Sequence, residues 1–204
     1  NYMSTYQGIR GLKIRDYTTN PDDPLEGQLW YNKTDQVGKY QIANVTAAWR
    51  TGGNLNTARR AMGSAGADNT EGLAFTGDDG TSPVANTESY NGVSWTEVND
   101  VNTARGFPGS SGKVYTAALL FGGTEPAYSA KTENWNGSAW TEVNDLNTAR
   151  NGLGVGACGT NTSALAVNGQ DPSGRLAINE SWNGSSWTEV NDTNTARVGA
   201  GVSG

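Results

Sequence analysis

Histidine is absent from this 204-residue sequence, and cysteine occurs only once, as Cys158. Without histidine the chain cannot build a Ser-His-Asp or Cys-His catalytic group, and it cannot bind zinc or copper through imidazole. A single cysteine excludes an internal disulfide, and its small neighbours predict a buried packing residue rather than a reactive thiol. No apolar run approaches the roughly 20 residues of a membrane-spanning helix, and no Gly-rich phosphate-binding loop is present.

Basic residues are also few, since 14 Lys and Arg stand against 20 Asp and Glu, for a net charge of −6. Nucleic acids and anionic membranes are bound through basic surfaces, so we expect neither kind of partner. Leucine and isoleucine are scarce, whereas the chain has 28 Gly, 7 Trp and 8 Tyr. This composition is poor in helix formers and suits short strands joined by tight turns.

What the sequence does contain is a repeat. The pattern Trp-Thr-Glu-Val-Asn-Asp-x-Asn-Thr-Ala-Arg occurs at residues 95–105, 140–150 and 187–197, and a degenerate copy occupies 49–59. The tryptophans of the four copies are 46, 45 and 47 residues apart, and in each copy the arginine follows the tryptophan by ten positions. A constant period of this size predicts a solenoid, a propeller or another repeat array.

Each repeat contains four strand-like segments. A stretch rich in Gly, Ala and Ser comes first, as in GFPGSSGK at 106–113, and an apolar run such as VYTAALLFGG at 114–123 follows. A variable polar loop then leads to two alternating segments on either side of an Asn-Gly pair. Four short strands in about 46 residues predict the blade of a β-propeller, with the small residues at its crowded centre.

The Asn-Gly pairs at 91–92, 136–137 and 183–184 predict tight hairpins. Asn-Gly readily adopts positive φ at both central positions of a type I′ turn, which matches the twist of the flanking strands. In the middle repeat, a two-residue turn would place Trp135 opposite Ser138 and Glu133 opposite Trp140.

We expect an N-terminal attachment segment with an outer-strand hairpin at 1–50, followed by propeller repeats at 51–204. The complete repeats are 54–100, 101–145 and 146–192, and residues 193–204 begin another. Because propellers generally have four to eight blades, we expect these repeats to belong to a larger ring. Closure within the chain through a hybrid blade, or closure between subunits of a homo-oligomer, are the alternatives.

The repeat resembles the kelch motif, in which an apolar strand ends in two glycines and is followed by an aromatic residue, a tryptophan and an arginine segment. Phe121-Gly122-Gly123, Trp135, Trp140 and Asn147–Arg150 match these parts. The pair of glycines is complete only at 122–123, and no proline precedes the arginine. The resemblance covers residues 49–204 and implies a kelch-like β-propeller.

The amino-acid sequence of the repeat, as in ESWNGSSWTEVNDTNTAR, is similar to that of kelch-type repeats in structural proteins of tailed bacteriophages, especially marine ones. Glu26–Asn32 (EGQLWYN) resembles a module of phage tail-fibre and virion proteins. The resemblance implies a virion protein of an extracellular particle, attached to capsid or tail proteins through its N-terminal segment.

The repeated residues are expected to be structural. The tryptophans should pack between blades, and each arginine should pair with a hairpin glutamate, Glu88, Glu133 or Glu180, or with backbone carbonyls. Repeated carboxylates could in principle hydrolyse glycosides, but an active site breaks symmetry and these acids recur in every blade. The tryptophans in question are Trp49, Trp95, Trp140 and Trp187, and the arginines are Arg59, Arg105, Arg150 and Arg197.

Site-specific function should lie where the repeats differ, in the loops at 78–85, 124–131 and 170–177, because loops on a rigid scaffold commonly carry recognition. Inert connecting loops are the alternative, and Asp78-Asp79-Gly80 is expected to be a solvated turn rather than a calcium site. The candidate ligand-binding residues are Asp78, Asp79, Tyr128, Asp171 and Arg175.

The functional hypothesis is therefore a non-enzymatic virion structural protein, without cofactor or metal, that is a tail fibre, an appendage or a surface decoration and binds a host-surface glycan. The alternative is a bacterial extracellular or cell-surface adhesion propeller. An enzyme is the third reading, and the absence of histidine disfavours it.

Overall fold

The computed structural model describes residues 15–21, 29–40, 52–154 and 159–201, so Trp49 and Cys158 lie outside the described residues. Every regular element among the described residues is a β-strand, which confirms the prediction of an all-β protein. The chain divides into two compact units, residues 1–51 and residues 52–204. In the described part, no helix of the length and apolar character needed to cross a membrane is found.

The described part of the first unit is a three-stranded sheet of β1 (Arg15–Tyr17), β2 (Leu29–Asn32) and β3 (Val37–Tyr40). Strand β2 pairs in parallel with β1 and antiparallel with β3. Asn32 shapes the turn after β2, because its side-chain oxygen accepts backbone N–H bonds from Thr34 (2.9 Å) and Asp35 (3.0 Å). The Leu-Trp-Tyr-Asn part of the N-terminal motif is therefore the central strand of this sheet.

The described part of residues 52–204 contains three antiparallel sheets of four strands each, which confirms the prediction of four strands per repeat. The first sheet consists of β4 (Gly63–Asp68), β5 (Glu71–Phe75), β6 (Thr87–Tyr90) and β7 (Trp95–Val98). The second consists of β8 (Gly109–Val114), β9 (Ala117–Phe121), β12 (Thr132–Trp135) and β13 (Trp140–Val143). The third consists of β14 (Gly159–Thr160), β15 (Ser163–Val167), β18 (Asn179–Trp182) and β19 (Trp187–Val190).

Two short hairpins lie in the variable loops. Strands β10 (Thr124–Glu125) and β11 (Ala127–Tyr128) pair in the second repeat, and β16 (Gln170–Asp171) and β17 (Gly174–Arg175) pair in the third.

The first strands of the three sheets lie side by side. Strand β8 is flanked by β4 and β14, and polar contacts join them, such as the bond from the Ser64 backbone N–H to the Ser110 hydroxyl at 3.2 Å. Glycine is required where the aromatic ring of the second strand crosses the first. A Cβ added at Gly109 would lie 2.2 Å from the Phe121 ring, and one at Gly63 would lie 2.3 Å from Phe75. The glycines of these first strands therefore leave room for the aromatic rings of the second strands.

The Asn-Gly hairpins differ from the predicted two-residue type I′ turns, so that prediction was wrong. Trp135 pairs with Trp140 rather than with Ser138, and Glu133 pairs with Glu142 rather than with Trp140. The loop has four residues, 136–139, because the side-chain oxygen of the asparagine at 136 accepts the N–H groups of residues 138 and 139, at 3.0 and 2.9 Å. The longer loop also places both tryptophan rings together, with centroids 5.4 Å apart.

The apolar core lies between neighbouring sheets, and tryptophan side chains pack across from one sheet to the next. Trp140 of the second sheet packs on Phe75 of the first, with ring centroids 4.7 Å apart, and donates its indole N–H to the Thr87 hydroxyl at 3.1 Å. Trp187 of the third sheet makes the same two contacts with the second sheet. Its ring centroid lies 4.9 Å from that of Phe121, and its indole N–H donates to the Thr132 hydroxyl at 3.0 Å. Trp95 differs, because it is only half-buried and donates to the backbone carbonyl of Gly53 at 3.1 Å.

A ladder of backbone hydrogen bonds joins corresponding positions of the four repeat copies. Phe107 donates to the Ala61 carbonyl (3.1 Å), Gly152 to that of Phe107 (2.9 Å), and Gly199 to that of Gly152 (2.8 Å). All four residues have left-handed φ angles, between 48° and 63°. Such angles cost little for glycine and more for residues with a side chain. The conformation is therefore imposed by the array, including at Phe107.

The glycine pair of the motif is also explained by contacts. Its second position is glycine in every copy, and a Cβ added there would lie 2.7–3.0 Å from a backbone carbonyl. Its first position has positive φ in every copy but tolerates Thr76 and Asn168, both fully or almost fully buried. Thr76 is held there because its hydroxyl accepts the Arg105 N–H at 2.9 Å and has the carbonyl oxygens of Arg105 and Val84 at 2.6 and 2.9 Å as acceptors for its one proton. The second glycine is therefore required in every copy, whereas the first is required in the second repeat, where a Cβ added at Gly122 would lie 2.6 Å from the Arg150 carbonyl oxygen.

Candidate functional site

The glutamate at the second position of the third strand is buried in each of the three sheets. In the second sheet, Glu133 accepts backbone N–H bonds from Asn102 (2.7 Å) and Thr103 (3.3 Å), and a guanidinium bond from Arg105 (2.5 Å). The Asn102 side chain adds a fourth bond at 2.9 Å. Residues 102–105 thus surround one carboxylate, and we call this arrangement the glutamate clamp.

The other two sheets contain the same clamp, with Arg59 on Glu88 and Arg150 on Glu180. These ion pairs are the ones the sequence predicted, and each arginine also donates to a backbone carbonyl. The clamp of the first sheet is looser, because the Asn56 side chain donates only to a tryptophan carbonyl, at 3.4 Å, whereas Asn102 and Asn147 donate to the corresponding carbonyl and also to the glutamate.

Burial lowers the pKa of Arg105 and Arg150, and the facing carboxylates oppose this shift. The Nε atom of each clamp arginine has no hydrogen-bond partner among the described residues. Opposite each clamped acid in the strand register lies an exposed glutamate, such as Glu142 opposite Glu133. A pair of carboxylates is thus present in every sheet, but one member is enclosed by its clamp and serves the packing of the array.

The three variable loops each contact the segment that enters the first strand of a sheet. Isolated bridges pair Arg60 with Asp78, Gly106 with Thr124, and Asn151 with Gln170. The loops and the start of the first strands therefore share one edge of the array, where the copies differ most in sequence.

A cleft of about 290 Å³ lies at this edge between the first and second loops. Phe107 lines it with a side chain that is 47% exposed, at a backbone φ of 55°. Asn151 also lines it; its amide donates to the Thr124 hydroxyl at 2.5 Å, and its Oδ1 has no partner among the described residues. The complete lining is Asp78, Pro83, Gly106, Phe107, Thr124, Pro126 and Asn151.

Of the five predicted ligand-binding residues, only Asp78 lines this cleft. Asp79 is the next residue along, Tyr128 is half-buried in β11, and Asp171 and Arg175 lie together in the β16–β17 hairpin of the third repeat. The structure therefore distributes the predicted residues over the loops instead of gathering them into one pocket.

The loop aspartates have local roles. Asp78 forms an ion pair with Arg60 at 3.2 Å and accepts the N–H of Gly80. Backbone hydrogen bonds, chiefly from Ser82, lower the pKa of Asp79. Hydrogen bonds from the hydroxyl and backbone N–H of Ser173 lower that of Asp171. Within the described ranges no group of three potential metal-binding residues is found.

Phe107 and Asn151 were missed by sequence reasoning. Both follow a constant arginine, at the point where the copies diverge into RAM, GFP and NGL at 60–62, 106–108 and 151–153. Divergence immediately after an invariant residue was the signal that could have found them.

A scan of protein-family models and a search of curated proteins both return no match for this chain.

Proposed function

We propose that this chain is a non-enzymatic structural protein of a bacteriophage virion, part of a tail fibre, an appendage or a surface decoration, that binds a host-surface glycan. Residues 1–50 attach it to other virion proteins, and residues 51–204 form blades of a kelch-like β-propeller. The sequences of the repeat and of the N-terminal Leu-Trp-Tyr-Asn motif support the virion assignment, because they resemble sequences in phage structural proteins.

Three observations support the propeller. Consecutive repeats form consecutive four-stranded antiparallel sheets, the small first strands lie side by side, and the tryptophan of each following sheet packs on the sheet before it. A propeller is an array of this kind that closes around its first strands. The bonded positions 61, 107, 152 and 199 would then surround the mouth of the central channel.

Glycan binding rests on one observation: an aromatic ring, Phe107, is exposed beside a cleft that the polar residues Asp78, Thr124 and Asn151 also line. Binding sites combine apolar or aromatic surface with a few polar groups. Asp78, Thr124 and Asn151 supply such groups for sugar hydroxyls, while Phe107 supplies a flat surface for a sugar ring.

The same cleft argues against hydrolysis. Glycosidases use two carboxyl groups on opposite sides of the scissile bond. The lining contains one, Asp78, and its oxygen is bonded to Arg60. We therefore propose binding without turnover.

Phe107→Gly tests the glycan site. The equivalent positions are glycine in two other copies, at φ 57° and 63°, so the variant should fold at least as well as the parent. We expect it to lose binding to host-envelope polysaccharide on a glycan array. Val93→Ala, at an exposed side chain in a hairpin loop, is the control and should bind normally. Undiminished binding by the glycine variant would refute the site.

The virion assignment is tested separately by labelling purified phage particles with an antibody against the loop segments. Labelled particles support it. Labelling confined to bacterial envelopes would instead favour the adhesion propeller.

A further inference from the structure

The sequence contains five Asn-Gly pairs, and the fold places them in two different environments. Three pairs lie in the hairpin loops, at 91–92, 136–137 and 183–184, and their asparagines are exposed. The other two pairs, at 151–152 and 168–169, have buried asparagines. The difference matters because an Asn-Gly pair can react internally, since glycine has no side chain to keep its backbone nitrogen away from the asparagine side chain.

The internal reaction is deamidation. The glycine backbone nitrogen loses its proton and attacks the Cγ atom of the asparagine, a succinimide ring forms, and the side-chain nitrogen leaves as ammonia. Water then opens the ring at one of its two carbonyl groups and yields aspartate or isoaspartate, the isomer whose backbone runs through Cγ. The attack needs a free glycine N–H, and donors that stabilise negative charge on the asparagine Oδ1 in the transition state favour it.

The three hairpin loops meet both requirements. In each loop the backbone N–H of the glycine donates to no acceptor within the described ranges. The Oδ1 atom of each hairpin asparagine accepts backbone N–H bonds of 2.9–3.0 Å from the residues two and three positions further on. The nucleophile is therefore free, and two donors already point at the oxygen on which charge develops.

The two buried pairs meet neither requirement. Gly152 donates its N–H to the Phe107 carbonyl at 2.9 Å, and Gly169 donates its N–H to the Arg197 carbonyl at 3.1 Å. The side-chain nitrogen of Asn151, which would have to leave, is bonded to the Thr124 hydroxyl at 2.5 Å. Reaction at either pair therefore requires that the surrounding structure opens first, and opening of packed regions is infrequent.

We propose that Asn91, Asn136 and Asn183 are sites of spontaneous deamidation in the folded protein, and that the fold protects Asn151 and Asn168. The aspartyl product fits the loop, because its carboxylate accepts the same two N–H bonds as the amide oxygen. Each conversion adds one negative charge, so three of them take the formal net charge from −6 to −9. The charge of the hairpin loops therefore increases with the age of the protein.

Peptide mapping by mass spectrometry, after incubation of the folded chain at mildly alkaline pH, tests the proposal. Trypsin releases the hairpin asparagines in three separate peptides, 61–105, 132–150 and 176–197, and both protected asparagines in peptide 151–175. The hairpin peptides should deamidate at least about ten times faster than 151–175, which reacts only from opened molecules. The same incubation in urea is the control, and there the rates of all five pairs should converge.

Variants of the second loop assign the reaction. Asn136→Ser keeps a hydrogen-bond acceptor in the turn but has no amide to lose, so peptide 132–150 should stay unmodified while 176–197 reacts as in the parent. Asn136→Asp represents the product and should unfold at the parent's urea midpoint. Equal rates for 151–175 and the hairpin peptides in the folded chain overturn the proposal. So do unmodified hairpin peptides, undiminished conversion of 132–150 in the serine variant, or an Asn136→Asp chain that does not fold.

Discussion

Replacing Glu133 with glutamine removes one charge from a clamp without creating a cavity. The carboxylate accepts four hydrogen bonds, from two backbone N–H groups and from the side chains of Asn102 and Arg105, and its side chain is fully buried. Glutamine offers one acceptor oxygen and points an amide N–H₂ group at donors. Arg105 then remains buried without its counter-ion.

The expected loss is large for an isosteric change. Breaking a buried ion pair by removing one partner costs about 3–5 kcal/mol, because an uncompensated charge is left inside the protein. For a chain of this length, that corresponds to a fall in Tm of about 6–20 °C. Replacing both partners, with Arg105→Met added to Glu133→Gln, should recover part of the loss, since neither charge is then buried alone.

Urea unfolding followed by tryptophan fluorescence measures the effect. Glu142→Gln is the matched control, because this glutamate lies directly opposite Glu133 in the strand register but is exposed. It should change the free energy of unfolding by no more than about 0.5 kcal/mol. Equal stability of the two glutamine variants would refute the view that the clamps hold the repeats together.

Three further predictions follow from individual contacts. Trp140→Ala should cost about 3–5 kcal/mol of unfolding free energy, and Trp95→Ala less than half of that, because Trp95 is only half-buried; equal losses in urea melts would contradict this. Ser173→Ala should raise the pKa of Asp171 towards its ordinary 3.8, observed by carboxyl NMR titration. In the parent chain, the stability contributed by Asp171 is complete above the unfolded pKa and is lost as pH falls through the lower folded value; an unchanged pKa would show that Ser173 is not the cause. Gly169→Ala should cost more than about 1 kcal/mol, because its φ is 110° and a Cβ would lie 2.7 Å from a carbonyl oxygen; thermal melts that match the parent would exclude this clash.

The repeat array could be predicted from the sequence, because residues in equivalent structural positions recur at a constant spacing. If Glu133 and Arg105 occurred only once, nothing in the sequence would indicate that these two charged residues form a pair. Repeated copies at constant spacing indicated a shared partner, and the structure pairs them. The four strands per repeat were likewise evident from small, apolar and alternating segments that recur in the same order.

The hairpin register could not be read from the sequence, because Asn-Gly is compatible with more than one turn. Its preference for a type I′ turn was outweighed by two hydrogen bonds that the side-chain oxygen of the asparagine at 136 accepts from backbone N–H groups, and by the contact between Trp135 and Trp140. Side-chain interactions within the hairpin therefore decided between two turns that the Asn-Gly pair allows.

The cleft was also beyond sequence reasoning, since it combines residues far apart in the chain. Asp78, Phe107 and Asn151 come from three different repeat copies. Nothing local marks Phe107 as left-handed, and its φ is set by the hydrogen bonds that join it to Ala61 and Gly152. A repeat indicates which residues are shared, whereas a site between repeats depends on how the sheets are placed.

Electron cryo-microscopy of the native particle at side-chain resolution tests the central proposal most directly. We predict that residues 1–50 contact a capsid, tail or fibre protein, that the three sheets form blades of a closed propeller, and that the loops at 78–85, 124–131 and 170–177 face outward. Finding the chain in a bacterial envelope or filament without phage proteins, or finding the loops buried against the particle, would contradict it.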